Sequence, residues 1–373
     1  MVHSLLLASS FPPAVGGMET LLYQTSRRLA SPPLVIAPRP VSSGPPPSDM
    51  HVRWVRPGLL SRAAYRPMWA AHPSLFYLGS MWQAVMRMPR PEVVQVGHVG
   101  LAPLGWWLAR RLRRPWLVYV YGQEVWRGGR RNGLGALDAV LRGRALRAAD
   151  AVLSPGRFTT GLLAEWRVRP ERIVSVPYGA EPQAPASPPC GTTLLSVARL
   201  VPRKGIDTVI RALPRLRNEE VEYRVVGRGP DEPRLRDLAR QHGVEQRVHF
   251  LGRLDDATLA SEYQRCALFV LPSRRTHDGE LEGYGLVHFE AAAWGRPVIA
   301  GRSGGEVDAV VDGETGVLVD GASLEAVTDA LQGLLADPER MRRMGEAGRR
   351  RVETTHNWTR AAAVVDQVLD RLR

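Results

Sequence analysis

Short apolar runs, mostly four or five residues long, recur down the chain and alternate with longer segments. Leu5–Ala8, Leu34–Ala37, Val52–Val55, Val93–Val96, Leu117–Tyr121, Ala151–Ser154 and Ile173–Val176 make one set. Thr193–Val197, Glu222–Val226, Val248–Phe250, Ala267–Leu271, Pro297–Ala300 and Gly316–Val319 make a second. Runs this short and this apolar read as buried strands of parallel sheets. The segments between them have helical spacing, Met18 to Leu29 among them. Such alternation specifies a doubly wound α/β sheet with helices on both faces. Between the two sets, Glu181–Gly191 is rich in Pro, Ala and Ser, the composition of a linker. A helix-rich tail covers Ser323–Arg373. The expectation is therefore two Rossmann-like domains, 1–185 and 192–355, with 356–373 a C-terminal helix packing back toward the first. Two such sheets would face each other across a cleft lined by their C-terminal strand edges, where ligands bind in folds of this class.

The length of 373 residues fits two ordinary domains, and 44% hydrophobic content with 10 Trp supplies two cores. No apolar run approaches the ~20 residues that span a bilayer. Val2–Ala8 is too short for a signal peptide and lacks its charged flank, which gives a cytoplasmic expectation. Cys190 and Cys266 have no metal-ligand spacing, and Cys266 in its apolar run reads as a buried thiol.

The net charge of +13 is unevenly spread. Residues 1–190 hold 23 Arg, no Lys and 9 acidic residues, a net +14, and the remainder is close to neutral. A basic first half calls for an anionic partner. No zinc-finger spacing or aromatic RNA-binding motif supports nucleic acid, so a membrane surface is preferred, with peripheral contact on its inner face. A solvated basic face is the other reading. From Arg56 to Arg90 arginines mix with Tyr65, Trp69, Phe76, Tyr77 and Trp82. That stretch suits a membrane interface and equally a core helix with solvated arginines. Leu101–Arg114 is expected to be a helix whose terminal arginines suit its dipole.

Candidate chemistry gathers in the second half. Glu282-Gly-Tyr-Gly-Leu-Val-His-Phe-Glu290 places two carboxylates around a glycine turn that enters an apolar helix, stopped by Gly295-Arg-Pro297. The N–H groups and positive dipole end of such a helix face any anion or polyol above them. An ordinary helix with a favourable N-terminal Glu fits the same residues. Ser196-Val-Ala-Arg-Leu-Val-Pro-Arg-Lys-Gly205 follows a strand and offers Arg199 and Lys204 to neighbouring phosphates, with Arg203 expected to face solvent. Of the 50 basic residues 49 are Arg and only Lys204 is Lys, which marks a position that needs a compact ammonium. Val225-Val-Gly-Arg-Gly-Pro230, Phe250-Leu-Gly-Arg-Leu254 and Gly301-Arg-Ser-Gly-Gly305, with Asp312-Gly-Glu-Thr-Gly316 beyond, add glycine turns at strand ends. Cations for phosphates, carboxylates for hydroxyls and glycines for close approach are the chemistry of holding a nucleotide diphosphate sugar.

With those motifs in place, and with Phe11-Pro-Pro-Ala-Val-Gly-Gly-Met-Glu19 at the front, the chain resembles the family 4 glycosyltransferases of GT-B fold. Phe11–Glu19 and Gly122-Gln-Glu-Val-Trp126 bring it near the phosphatidylinositol mannoside mannosyltransferases that use GDP-mannose. The resemblance implies retention of anomeric configuration, no metal ion and no other cofactor. It implies that Arg199 and Lys204 neutralise the donor diphosphate, that Glu282 holds hydroxyls of the transferred sugar, and that Glu290 accepts from the ribose. Backbone N–H groups from Gly283, Tyr284, Gly285 and Leu286, and the Arg253–Leu254 strand end, complete the implied donor site. Gly16 and Gly17 would let the N-terminal loop approach the pyrophosphate. The family has His-Gly where this chain has Tyr121-Gly122, so the acceptor side passes to Tyr121 and Glu124, with His98 a further candidate that, as a lone strand-end His, suits a structural role somewhat better. A phosphorylase would need a lysine Schiff base, and the lone Lys204 lies in the phosphate motif.

Overall fold

The computed structural model describes residues 3–39, 45, 47–55, 90–126, 134–184 and 191–373. All of the Arg56–Arg90 stretch but its last residue, and residues 185–190 of the linker with Cys190, lie outside the described residues. The chain forms two compact units, Met1–Tyr178 with Trp358–Arg373, and Gly179–Asn357.

The first unit is built on a parallel sheet of β1 (Ser4–Leu7), β2 (Leu34–Pro38), β3 (Val52–Val55), β4 (Val93–Val96), β5 (Trp116–Tyr119), β6 (Ala151–Ser154) and β7 (Ile173–Ser175). Its order is β3-β2-β1-β4-β5-β6-β7, with Leu5 paired to Leu34 on one side and Val94 on the other. β1, β4, β5 and β6 are buried at every position, because helices cover both faces. β5 stops at Tyr119, two residues before the expected Tyr121. Val120 N still bonds Leu153 O at 3.0 Å, but the Tyr121 N–H turns to the Glu124 carboxylate and Gly122 takes a φ of 111°. Expected as Leu101–Arg114, the next helix runs Ala102–Leu112.

The last helix, Trp358–Leu372, belongs to this first unit. It buries Trp358, Ala361, Ala362, Val365, Val368 and Leu369, one stripe at helical spacing. It packs against the Gly17–Ser26 helix. The Asp366 carboxylate accepts from Ala30 N at 3.0 Å, and Arg373 pairs with Glu92 at 3.4 Å.

The second unit carries β8 (Thr193–Val197), β9 (Glu222–Val226), β10 (Val248–Gly252), β11 (Leu268–Leu271), β12 (Val298–Gly301) and β13 (Gly316–Val319), all parallel. Their order is β10-β9-β8-β11-β12-β13. Chain direction across the sheet reverses between β1 and β4 in the first unit and between β8 and β11 in the second. Loops leaving the C-terminal ends of those strands diverge and leave a crevice, the ligand position of doubly wound sheets. Cys266 is a buried free thiol just before β11. Among the described residues no helix is long and apolar enough to cross a membrane.

Candidate functional site

The loops that leave β8 and β11 bring Arg203, Lys204 and Glu282 together. After β8 the chain runs to a single turn, Pro202–Lys204, closed by Gly205 in the left-handed region at φ 71°. A Cβ on Gly205 would stand 2.1 Å from Pro272 O, so only glycine lets this loop lie on the loop that leaves β11. That second loop carries Glu282. Lys204 Nζ and Arg203 Nη1 both donate to Glu282 Oε2 at 2.5 Å. Burial works against the charge on Glu282, but the Lys204 ammonium and then the Arg203 guanidinium outweigh it and hold the carboxyl at about 2.

Arg203 is thus not the solvent-facing neighbour expected from sequence. Its main-chain O accepts from Arg274 N at 2.8 Å, which ties it to the loop after β11 and turns its side chain toward Glu282. Arg274 in turn donates to Asp207 at 2.9 Å and Thr208 at 2.8 Å, and Asp207 is buried. The lysine loop is therefore anchored from behind, while Lys204 retains N–H donors beyond the one given to Glu282.

The Glu282 main chain is fixed separately. Its carbonyl accepts from Gly305 N at 2.9 Å, and a Cβ on Gly304 (φ 64°) would stand 2.1 Å from that same oxygen. The glycines at 304 and 305 therefore serve contact between loops. Tyr284 is buried and stacks on Phe289 at 5.4 Å, which leaves its backbone as the part available to a ligand. Gly285 (φ 82°) caps the Leu286–Ala293 helix. The far end closes with Gly295 N on Ala292 O at 2.8 Å and Arg296 N on Ala291 O at 3.0 Å, the paired bonds of a Schellman stop.

The other expected donor residues lie apart from the ion cluster. Glu290 is half-buried and accepts from Tyr263 Oη at 2.8 Å, and burial raises its pKa. Arg199 is exposed and has no partner among the described residues. Arg253 is exposed and Leu254 half-buried just past β10. No hydrogen bond or ion pair among the described residues joins these four to Lys204 or Glu282.

In the first unit, Gly16 caps the Gly17–Ser26 helix, and its O accepts from Thr20 N at 3.0 Å. His98 follows β4 and its Nδ1 accepts from Gly100 N at 3.0 Å, which leaves the proton of the neutral ring on Nε2. Burial, with the Arg142 charge, lowers its pKa to about 4, so the ring is neutral near physiological pH. Tyr121 Oη donates to Gly97 O at 3.0 Å, and burial raises its pKa well above the usual phenol value. Glu124 Oε1 accepts from Tyr121 N at 2.6 Å, and burial lifts that carboxyl to about 7 despite backbone hydrogen bonds. His98, Tyr121 and Glu124 thus sit at the ends of β4 and β5, adjacent strands on one side of the crevice.

Sequence reasoning missed Arg203 as a Glu282 partner, Tyr263 behind Glu290, and a buried pair, His288 with Glu306. Adjacency to Lys204 was a signal for the first. Nothing in the spacing pointed to the other two, which meet only through tertiary packing.

Residues 16–179 match the family described as glycosyl transferase 4-like domain, and residues 180–351 match glycosyl transferases group 1. A GDP-mannose-dependent alpha-(1-6)-phosphatidylinositol monomannoside mannosyltransferase of Mycolicibacterium smegmatis is 40% identical over 182 residues, 48% of this chain and 48% of that protein. The chain thus matches about half the length of such curated relatives. An MMP alpha-(1->4)-mannosyltransferase of Mycolicibacterium hassiacum is 29% identical over 79% of this chain and 68% of its own length. Among solved structures, sucrose-phosphate synthase of Thermosynechococcus elongatus superposes with a TM-score of 0.82 over 99% of this chain and 98% of its own, at 23% identity. That likeness gives the fold, GT-B. The two family matches together run from residue 16 to 351, and the chain belongs to the glycosyltransferases that join a 4-like domain to a group 1 domain.

Proposed function

We propose that this protein is a retaining, metal-independent hexosyltransferase that moves mannose from GDP-mannose to a lipid-linked or phospholipid acceptor at a membrane surface. The observation that carries this reading is the Lys204–Glu282–Arg203 cluster at the crevice of the second sheet, beside the start of the Leu286–Ala293 helix. In this reading Lys204 keeps one N–H on Glu282 and turns another to the donor diphosphate, where exposed Arg199 adds a planar fork. As the bond from the sugar to the diphosphate breaks, negative charge grows on the leaving group. Lys204, Arg199 and the helix N-terminus meet it without reorganisation. Glu282, kept ionised by its two cations, accepts from hydroxyls of the hexose, and Glu290, oriented by Tyr263, accepts from the ribose. Arg253–Leu254 meets the base. On the acceptor side the neutral His98 offers Nε2–H, Tyr121 stands where the family has His, and Glu124 follows three residues on.

The choice of mannose, GDP and a phosphatidylinositol-type acceptor is supported by the names of relatives near 40% identity. The net +14 of residues 1–190 supports contact with an anionic lipid surface. The test is transfer of labelled sugar from GDP-mannose and UDP-glucose to phosphatidylinositol vesicles and to soluble glycans, with the product anomer read by NMR. Mannose on the lipid with the donor configuration kept is expected. An inverted product, transfer to soluble glycan alone, or donor binding without transfer would each overturn the corresponding part.

A further inference from the structure

His288 and Glu306 are buried to the last few per cent of their surface, on different elements, behind the Glu282 loop. His288 lies in the first turn of the Leu286–Ala293 helix, its ring edge-on to Phe269 with centroids 5.6 Å apart. Its Nε2 meets Glu306 Oε1 at 2.8 Å. Glu306 Oε2 reaches back five residues to accept from Gly301 N at 2.9 Å. One carboxylate therefore staples the end of β12 to the helix that begins at Gly285. The turn so held, 301–305, is the one whose Gly305 N bonds Glu282 O. His288 N closes the ring on Gly285 O at 3.1 Å. Contacts thus run in a circuit through Glu282, Gly305, Glu306, His288 and Gly285. Burying a carboxylate and an imidazole is costly unless each finds a partner, and this circuit gives Glu306 two.

We infer that Glu306, through His288 and Gly301, is a positioning residue for the donor site that sets the main chain of Glu282 and so the place of the Lys204 ammonium. The inference rests on the donor-site reading above, but its first readout does not. Lys204 is the only lysine, so a lysine-selective ¹³C label gives one side-chain signal, which reports the Lys204–Glu282 pair without ligand. Glu306→Ala removes both anchors. It should move that signal toward its position in Glu282→Gln and weaken GDP-mannose binding at least tenfold by calorimetry. Glu306→Gln can accept from Gly301 N and donate to His288 Nε2, so it should keep the wild-type signal and bind GDP-mannose within about threefold of wild type. Should Glu306→Ala fail to fold, His288→Leu, which leaves the Gly301 bond, gives the same direction of change. A Lys204 signal unmoved in a folded Glu306→Ala or His288→Leu protein would overturn the inference. So would a Glu306→Gln protein as impaired as Glu306→Ala. A signal that moves in a protein that binds no GDP-mannose upholds the positioning role and retires the donor assignment.

Discussion

Glu282 accepts from an ammonium and a guanidinium through one oxygen, inside a crevice that would otherwise favour its neutral form. The folded-state pKa of about 2 lies below the 4.5 of the free side chain, so the stabilisation is complete above that value and is lost as pH falls toward 2. The melting temperature of wild type should therefore exceed that of Glu282→Gln most near neutral pH. The gap should close across that acid window; a constant gap would mean that the cations do not govern Glu282. The main chain beneath it gives a second expectation. Gly304→Ala forces a φ of 64° on alanine and sets its Cβ against Glu282 O. It should lower both the melting temperature and donor affinity, because the displaced atom belongs to the site.

At the scale of elements, Gly295→Ala is the contrast. Gly295 also sits in the left-handed region, at φ 69°, but an added Cβ meets nothing closer than 4.0 Å. It should cost about 1 kcal/mol of stability and leave donor binding unchanged. Equal losses of donor affinity in the two alanine variants would remove the distinction between a helix stop and a site turn. Most of this architecture was legible in the sequence. Val52–Val55, Val93–Val96, Thr193–Val197, Glu222–Val226 and Gly316–Val319 are strands with the bounds their apolar runs give. Val93–Val96 is buried at every position and Thr193–Val197 at its three central ones, while Val52–Val55, at the sheet edge, exposes Arg53, so the apolar run itself marks each strand locally. Lys204 and Glu282 were legible as charges at strand ends, because β8 and β11 flank the crevice of any sheet in this order. Arg203 was not, since two adjacent cations on one turn look alike until Arg274 fixes which way the first one points. His288 and Glu306 were missed for a related reason. They lie 18 residues apart on separate elements, and nothing local tells a buried pair from two surface residues.

Over the whole molecule, charge is divided as sharply as fold. The basic excess sits in residues 1–190, and the remainder is nearly neutral although it carries Arg203 and Lys204. If that excess serves a membrane surface, liposome association should require anionic lipid and fade as salt screens it. Equal binding to neutral vesicles would show the excess to be a solvated face. The proposed function depends on Lys204 meeting a donor diphosphate. The direct measurement is calorimetric titration of GDP-, UDP- and ADP-sugars into wild type and Lys204→Ala. Wild type is predicted to bind GDP-mannose, and the variant to lose a charge-assisted contact of about 1.5–3 kcal/mol, roughly ten- to hundred-fold in affinity. Undiminished binding by Lys204→Ala, or no nucleotide sugar bound by wild type, would contradict it.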